Sequence, residues 1–228
     1  MEAMITWVLL HGAGSTPEFM ARTFGPAAQS SDVRLVTPDV VGASMAEMVD
    51  VIESIGPDRD DLIGGVSLGA HAAAQFAYST RWGGRMYAVM PAWIGAPETV
   101  ASLTAATAET LAHSSVEDVL IQIEASADTG DWIIAELRTA WTGLGRDRLR
   151  DALRVAAAQV APTAADLARV TGECRVVALA ADPTHPLTVA RLWASSIPAA
   201  RLHVLPRHLQ GRGSTALAAP LLRWMQTP

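Results

Sequence analysis

Short, unbroken runs of apolar residues alternate with helical patterns along most of this chain. Continuous apolar runs, as opposed to alternating ones, are typical of strands that are buried on both faces of a parallel sheet. Six runs are predicted to be such strands: residues 5–10, 33–37, 61–66, 85–90, 174–180 and 201–205. Because helical segments separate them, the pattern predicts a three-layer α/β/α fold with a mostly parallel sheet of about six strands.

Helical spacing fills most of the gaps between these runs. In residues 43–55 the apolar side chains recur on one face of a helix, which Gly56 and Pro57 are expected to end. Further helices are predicted at residues 69–80, 186–196 and 215–225. Residues 95–171 hold no convincing strand and are predicted to form several helices. We interpret this stretch as a helical cap inserted between two strands of a single domain that spans residues 1–228.

Composition narrows the class of protein. Half of the 228 residues are hydrophobic, the formal net charge is −6, and no cluster of Lys and Arg offers a surface for nucleic acid. No apolar run approaches the roughly 20 residues of a membrane span, and the first residues lack the basic start of a signal peptide. The single cysteine, Cys174, opens a predicted buried strand. We therefore expect a cytoplasmic protein that acts on a small molecule, with its oligomeric state left open.

The segment Gly65-Val66-Ser67-Leu68-Gly69 lies where the third predicted strand meets the helix that follows it. A Gly-x-Ser-x-Gly pattern between a strand and a helix predicts a nucleophile elbow, with Ser67 at the tip of a sharp and strained turn. The two glycines remove side chains that would collide in that turn. The free N–H groups at the start of the helix favour negative charge that develops beside the serine.

A nucleophilic serine needs a base and an acid that orients the base. In a parallel sheet such groups gather at the carboxyl ends of the strands. Asp182 follows the predicted strand 174–180 and comes after Ser67 in the chain, so we predict that it is the acid, with a turn or helix-cap role as the alternative. Asp39 precedes the serine and Glu98 lies several residues beyond its strand, which makes both weaker candidates.

Six histidines compete for the role of the base. His208 follows the predicted strand 201–205 and completes the chain order Ser, Asp, His, so we predict that it is the base, with an exposed loop position as the alternative. His185 is the rival, although it shares the short loop of Asp182. The other four are expected to pack, to lie on the surface or to brace a loop: His11, His71, His113 and His203.

The segment His11-Gly12-Ala13-Gly14 follows the first predicted strand. Its glycines allow backbone N–H groups to approach a substrate carbonyl closely. We predict that the N–H groups of Ala13 and Leu68 form an oxyanion hole. A phosphate-binding loop is the alternative, but the Gly-Lys-Ser/Thr continuation and the Gly-x-Gly-x-x-Gly spacing are both absent.

The segments 11–14 and 65–69, together with Asp182 and His208, resemble the α/β-hydrolase fold family. The likeness covers nearly the whole chain in order and spacing, and residues 95–171 match the position of that family's variable helical cap. There are two departures from the family pattern. The family's first two strands have no counterpart, which leaves six, and the context of His208 lacks the Gly-His pattern that many members carry.

The resemblance implies a serine hydrolase that cleaves a carboxylic ester or thioester of a small acyl substrate through an acyl-enzyme, with no cofactor or metal. A non-catalytic binding or scaffold module on the same fold, a C–C bond hydrolase and a lyase are the alternatives. A dehalogenase is disfavoured because it would carry a carboxylate in place of Ser67. Trp93, Trp132 and Trp141 are candidates for a substrate pocket, with packing in the core as the alternative, and such a pocket would suit a hydrophobic acyl group.

Overall fold

The computed structural model describes residues 4–97, 99–125, 131–208 and 213–226. Its strands are β1 (Thr6–Leu10), β2 (Arg34–Val36), β3 (Leu62–Val66), β4 (Arg85–Val89), β5 (Cys174–Leu179) and β6 (Ala200–Leu205). Its helices are α1 (Pro17–Ser30), α2 (Met45–Ile55), α3 (Leu68–Thr80), α4 (Thr99–His113), α5 (Val116–Ala125), α6 (Trp132–Leu144), α7 (Arg146–Ala157), α8 (Ala164–Leu167), α9 (Leu187–Ser196) and α10 (Ala219–Met225), with a 3₁₀ helix at Gly213–Ala218.

The strands form one sheet in the order β2-β1-β3-β4-β5-β6, and every neighbouring pair is parallel. The predicted three-layer α/β/α fold with about six strands is therefore confirmed. The chain crosses the sheet in one direction from β1 to β2 and returns past β1 to reach β3. Loops that diverge from the carboxyl ends of strands at such a reversal leave a crevice where ligands bind. The segments that follow β1 and β3, which contain Ala13 and Ser67, flank this crevice.

Alternate side chains of each strand enter two separate cores, one on each face of the sheet. From β1, Val8 and Leu10 pack with α2, α3 and α9, whereas Trp7 and Leu9 pack with α1, the 3₁₀ helix and α10. The central strands β1 and β3 are buried along their whole length, as continuous apolar runs predict. The edge strands β2 and β6 are partly exposed, because each has a neighbouring strand on one side alone.

Helix α2 forms where the apolar spacing predicted it. Ser44 caps its first turn, since the serine hydroxyl accepts a hydrogen bond from Glu47 N and the Glu47 carboxylate binds the Ser44 backbone N–H. Gly56 ends the helix in a left-handed conformation with φ 64°, which a residue without a Cβ adopts at little cost. Met48 and Ile52 face the core from this helix.

Helices α4 to α8 lie between β4 and β5 in the chain and are called the inserted helices below. Helices α4 to α7 share an apolar cluster that includes Trp141, Leu149 and Leu153. Ala13, in the segment after β1, packs against this cluster. The inserted helices therefore lie against the segment that sequence analysis assigned to an oxyanion hole. Among the described residues, no helix is both long and apolar enough to cross a membrane.

Candidate active site

Ser67 lies in a sharp turn between β3 and α3. Its backbone has φ 54° and ψ −115°, a conformation that residues with a side chain rarely adopt. The turn is held on both sides: Ser67 N donates to Val89 O in β4 at 2.8 Å, and Ser67 O accepts from Ala70 N at 3.0 Å. The serine is half-buried, at the carboxyl edge of the sheet. This conformation matches the strained elbow that the sequence predicts.

The glycines beside Ser67 are required by close backbone contacts. A Cβ on Gly65 would lie 2.5 Å from the carbonyl carbon of Gly69, and a Cβ on Gly69 would lie 2.3 Å from Leu10 O. Both distances are shorter than any that a real Cβ tolerates. Gly12 is less crowded but still tightly packed, since its Cβ would lie 3.0 Å from the Ser67 Cβ. The segment after β1 and the serine turn are thus packed directly against each other.

His185 lies between Ser67 and Asp182. Its Nε2 is 3.1 Å from Ser67 Oγ, and its Nδ1 is 3.1 Å from Asp182 Oδ2. An ionised carboxylate can only accept hydrogen bonds, so the proton belongs on Nδ1 and the lone pair of Nε2 faces the serine hydroxyl. The three side chains therefore have the contacts of a Ser-His-Asp triad.

Asp182 is fixed from two directions. Its Oδ1 accepts hydrogen bonds from Thr184 N at 2.9 Å, from Thr184 Oγ1 at 2.9 Å and from His185 N at 3.2 Å. Burial alone would raise the pKa of the Asp182 carboxyl, but the hydrogen bond and charge of His185 and the hydrogen bonds of Thr184 outweigh it and hold that pKa well below its usual range. Asp182 is therefore a carboxylate at any pH at which a histidine can act as a base.

The two histidine candidates have different surroundings. His208 follows β6 and is exposed, whereas His185 makes the contacts to both Ser67 and Asp182. The physical reason is the turn at residues 182–185, in which the Asp182 side chain binds the backbone N–H groups of Thr184 and His185 and folds the chain back over its own carboxylate. The rule of chain order favoured His208, and the shared loop counted against His185; the turn-forming sequence of residues 182–185 is the signal that could have indicated it.

The two predicted oxyanion donors, Ala13 N and Leu68 N, lie in the segments that follow β1 and β3. Leu68 is the first residue of α3, where an N–H has no partner within its own helix. In the described part of the chain, neither Ala13 N nor Leu68 N donates to another backbone carbonyl. Both N–H groups belong to segments in contact with Ser67, so the structure is compatible with the predicted roles of Ala13 and Leu68.

The His11 side chain holds the segment after β1 in place through two hydrogen bonds. Its Nδ1 donates to Gly12 O at 3.0 Å, and its Nε2 accepts from Val40 N at 3.1 Å. Burial lowers the pKa of His11, even though the Gly12 carbonyl and the Asp39 carboxylate favour the charged form. The neutral ring satisfies both hydrogen bonds, so His11 braces the loop.

His71 lies behind the serine turn, inside the protein. Its Nε2 accepts a hydrogen bond from Ala92 N at 3.1 Å, and its ring stacks on Trp193 with a centroid distance of 5.3 Å. Complete burial, with a smaller contribution from nearby His185, lowers the pKa of His71 to about 3. The imidazole is therefore neutral and structural at neutral pH.

The three candidate pocket tryptophans have different surroundings. Trp141 is buried in the apolar cluster of the inserted helices, and a Cβ on Gly14 would lie 2.8 Å from its Nε1. Trp93 is buried with its ring edge-on to His71, at a centroid distance of 4.9 Å. Trp132 Nε1 donates to Arg207 O at 3.1 Å. Trp141 is thus the one of the three with a described contact to the segment after β1.

Asp39 and Glu98 are the two weaker candidates for the acid. Asp39 is exposed and pairs with Arg148 of α7, with 2.9 Å between Asp39 Oδ2 and Arg148 Nη2. Glu98 lies outside the described residues. Asp182 therefore remains the acid candidate with a described contact to a histidine that touches Ser67.

Comparisons with known proteins agree with this architecture. The chain is similar to an enol-lactonase from Burkholderia xenovorans LB400, with 16% identity over 99% of this chain and 93% of that one and a TM-score of 0.77. It is also similar to a thermophilic esterase from Thermogutta terrifontis, with 19% identity over 100% and 92% of the two chains and a TM-score of 0.73. A hydrolase from Pseudomonas aeruginosa PA01 gives 19% identity, 98% and 91% coverage and a TM-score of 0.73.

No family model matches the sequence, and no curated protein matches it either. The structural likeness nevertheless extends over almost the full length of each chain compared. Together with the parallel six-stranded sheet and the serine turn after β3, it shows that the chain has the α/β-hydrolase fold.

Proposed function

We propose that the protein is a serine hydrolase that cleaves a carboxylic ester or thioester through an acyl-enzyme on Ser67. The observation that carries the proposal is the position of the His185 imidazole, which is 3.1 Å from the serine hydroxyl and 3.1 Å from the Asp182 carboxylate. A serine hydroxyl is a weak nucleophile until a base takes its proton, and this contact supplies the base. His185, which sequence analysis ranked second, therefore takes the role assigned there to His208.

The proposed reaction has two halves. In the first, Ser67 Oγ attacks the acyl carbon while His185 Nε2 takes the hydroxyl proton, and Asp182 stabilises the imidazolium that forms. The alkoxide or thiolate leaves with the proton from His185, and the acyl group stays on Ser67. In the second half, His185 takes a proton from water, the hydroxide attacks the acyl-enzyme, and Ser67 leaves with that proton as the carboxylic acid departs.

The backbone N–H groups of Ala13 and Leu68 are proposed to bind the oxyanion of each tetrahedral intermediate. Such donors act without reorganisation at the moment of reaction, and the loss of one raises the barrier by about 2.7–4 kcal/mol in a related arrangement. Helix α3 begins at Leu68, so its positive end also faces the oxyanion. The crowded contact of Gly12 with Ser67 supports this assignment, because it fixes the distance between the two donor segments.

The position of the inserted helices favours a substrate with a hydrophobic acyl group. Ala13 packs on their apolar cluster, so an acyl chain held beside the oxyanion donors would meet the side of that cluster that contains Trp141. Trp93 and Trp132 are proposed to support the site from outside the pocket, since Trp93 packs on His71 and Trp132 binds the Arg207 carbonyl. The structural neighbours include an esterase and an enol-lactonase, which supports a hydrolase.

A fluorophosphonate probe tests the proposal directly, because it reacts with an activated serine. We expect one label per chain, located on Ser67 by peptide mass spectrometry and lost in Ser67→Ala. A series of acyl esters and thioesters of increasing chain length, assayed on the wild type and on Ser67→Ala, then identifies the substrate class. Labelling that persists in Ser67→Ala contradicts the nucleophile, and a folded wild type with neither labelling nor turnover supports a binding module.

A further inference from the structure

Arg207, the residue before His208, joins the inserted helices to the acid of the triad. Its Nε and Nη2 both donate to Asp131 Oδ2, at 3.0 and 2.5 Å. Asp131 caps helix α6, because its Oδ1 accepts from Ile133 N at 3.0 Å. The ion pair is largely buried, with side-chain exposures of 14% for Arg207 and 1% for Asp131.

The third nitrogen of the guanidinium faces Asp182. Arg207 Nη1 lies 3.3 Å from Asp182 Oδ1, the oxygen that does not bind the His185 ring. The contact is an attraction between charges and not a hydrogen bond, since Nη1 is buried and has no hydrogen-bond partner among the described residues. Arg207 thus lies between two buried carboxylates, one in the triad and one at the start of α6.

The charges form a short chain that ends at the serine. Asp131 faces Arg207, Arg207 faces Asp182, and Asp182 faces His185. His185 also faces Ser67 and lies near His71, which is neutral at neutral pH. A buried cation beside Asp182 keeps that carboxylate ionised and in place, and it opposes a positive charge on His185. Asp131 weakens that opposition because it compensates the charge of Arg207.

We propose that Arg207 is a positioning residue for the Asp182–His185 pair, and that its ion pair with Asp131 couples the docking of helix α6 to the reactivity of Ser67. The inference rests on the proposed function and adds a residue that acts through Asp182 without touching the substrate. It makes the packing of the inserted helices part of the catalytic machinery, because Asp131, the residue that binds Arg207, caps the first turn of α6.

The titration of the His185 imidazole provides the test. It is monitored by NMR in protein labelled with ¹⁵N-histidine, and the His185 signal is assigned by its absence in His185→Gln. Removal of the cation in Arg207→Met is expected to move the titration midpoint to higher pH by at least about half a unit. Removal of the compensating carboxylate in Asp131→Asn is expected to move it to lower pH. The acidic limb of the kcat/KM profile should move in the same two directions, while Arg207→Lys, which retains the charge, stays near the wild type.

The matched control is Arg22→Gln, which removes a second ion pair to the same helix. Arg22 of α1 binds Glu136 of α6 at 2.5 Å, on the protein surface. We expect this variant to leave the midpoint unchanged. The inference is overturned if the His185 titration midpoint stays fixed in Arg207→Met and Asp131→Asn. It is also overturned if the midpoint moves in the same direction in both variants. If Arg207→Met does not fold, Asp131→Asn and Arg207→Lys decide it.

The two proposals fail separately in this experiment. The NMR titration needs no turnover, so a wild type without labelling of Ser67 contradicts the proposed function alone. A wild type that is labelled on Ser67, with unmoved midpoints in the variants, contradicts the role of Arg207 alone.

Discussion

Ser67 carries a backbone strain that the surrounding atoms maintain. The backbone conformation of Ser67, with φ 54° and ψ −115°, costs about 1–3 kcal/mol for a residue with a side chain. Such a conformation persists where neighbouring contacts leave no alternative. Here those contacts are the hydrogen bond from Ser67 N to Val89 O and the backbone of Leu10, which approaches the turn too closely for any side chain at Gly69. The strain directs Oγ out of the sheet towards His185.

Substitution of Gly69 tests whether this crowding holds the turn. Gly69→Ala places a methyl group 2.3 Å from Leu10 O, so we expect a loss of at least about 1–3 kcal/mol in the free energy of unfolding and a fall in the labelling rate of Ser67. Gly143→Ala, in α6, is the control: its Cβ meets no atom within 4 Å, and alanine should stabilise the helix by about 0.5–1 kcal/mol. Urea unfolding of both variants measures the difference, and equal stabilities would contradict the crowding argument.

Helix α3 connects the candidate active site to the stability of the fold. Its first turn provides Leu68 N, and its second contains His71, which is fully buried. Because burial lowers the pKa of His71 to about 3, the folded protein keeps this ring neutral at a pH where the unfolded chain, with a pKa near 6.5, binds a proton. Stability is therefore unaffected above about pH 6.5 and is lost as the pH falls towards 3.

A variant of His71 makes this linkage measurable. His71→Gln keeps an acceptor for Ala92 N and removes the titrating ring, so it should lower the slope of unfolding free energy against pH by up to roughly 1.4 kcal/mol per unit between pH 4 and 6. His113→Gln is the control, since that side chain is exposed on α4. Urea unfolding at a series of pH values gives the slopes. A slope in His71→Gln equal to that of the wild type would contradict the assignment.

Several elements follow from the sequence within one or two residues. Continuous apolar runs that end at glycines or charged residues define a buried strand well, so β3 and β5 begin or end where they were expected. β6 was predicted by the same pattern but is half exposed, since apolar spacing does not tell an edge strand from a central one. The last predicted helix is divided into a 3₁₀ helix and α10, because Pro220 starts a new first turn.

The inserted helices contact the candidate active site in three ways. Trp141 packs against Gly14, Arg148 pairs with Asp39 beside His11, and Asp131 pairs with Arg207 beside Asp182. These contacts join residues that are about 25 to 130 positions apart in the chain. The positions of Ser67 and Asp182 could be predicted because each follows a strand directly. The ion pair of Arg207 could not, because no local pattern brings Asp131 to it.

The proposed base could not be chosen from the sequence alone. Both His185 and His208 follow a strand at the same edge of the sheet, so strand ends and chain order leave the two open. What separates them is the turn in which Asp182 binds two backbone N–H groups and brings His185 over its carboxylate. Such a turn depends on side-chain hydrogen bonds that composition and periodicity do not describe.

The proposed function depends on activation of Ser67 by His185, and the rate of Ser67 phosphonylation by a fluorophosphonate measures that activation. Measured by intact mass on wild type, His185→Ala and His208→Ala, with folding checked by circular dichroism, the rate constant should fall by about 10⁴-fold or more in His185→Ala. It should change by less than about threefold in His208→Ala, because that side chain is exposed and the contact to Ser67 Oγ comes from His185. A large loss in His208→Ala together with a near-normal rate in His185→Ala would contradict the account.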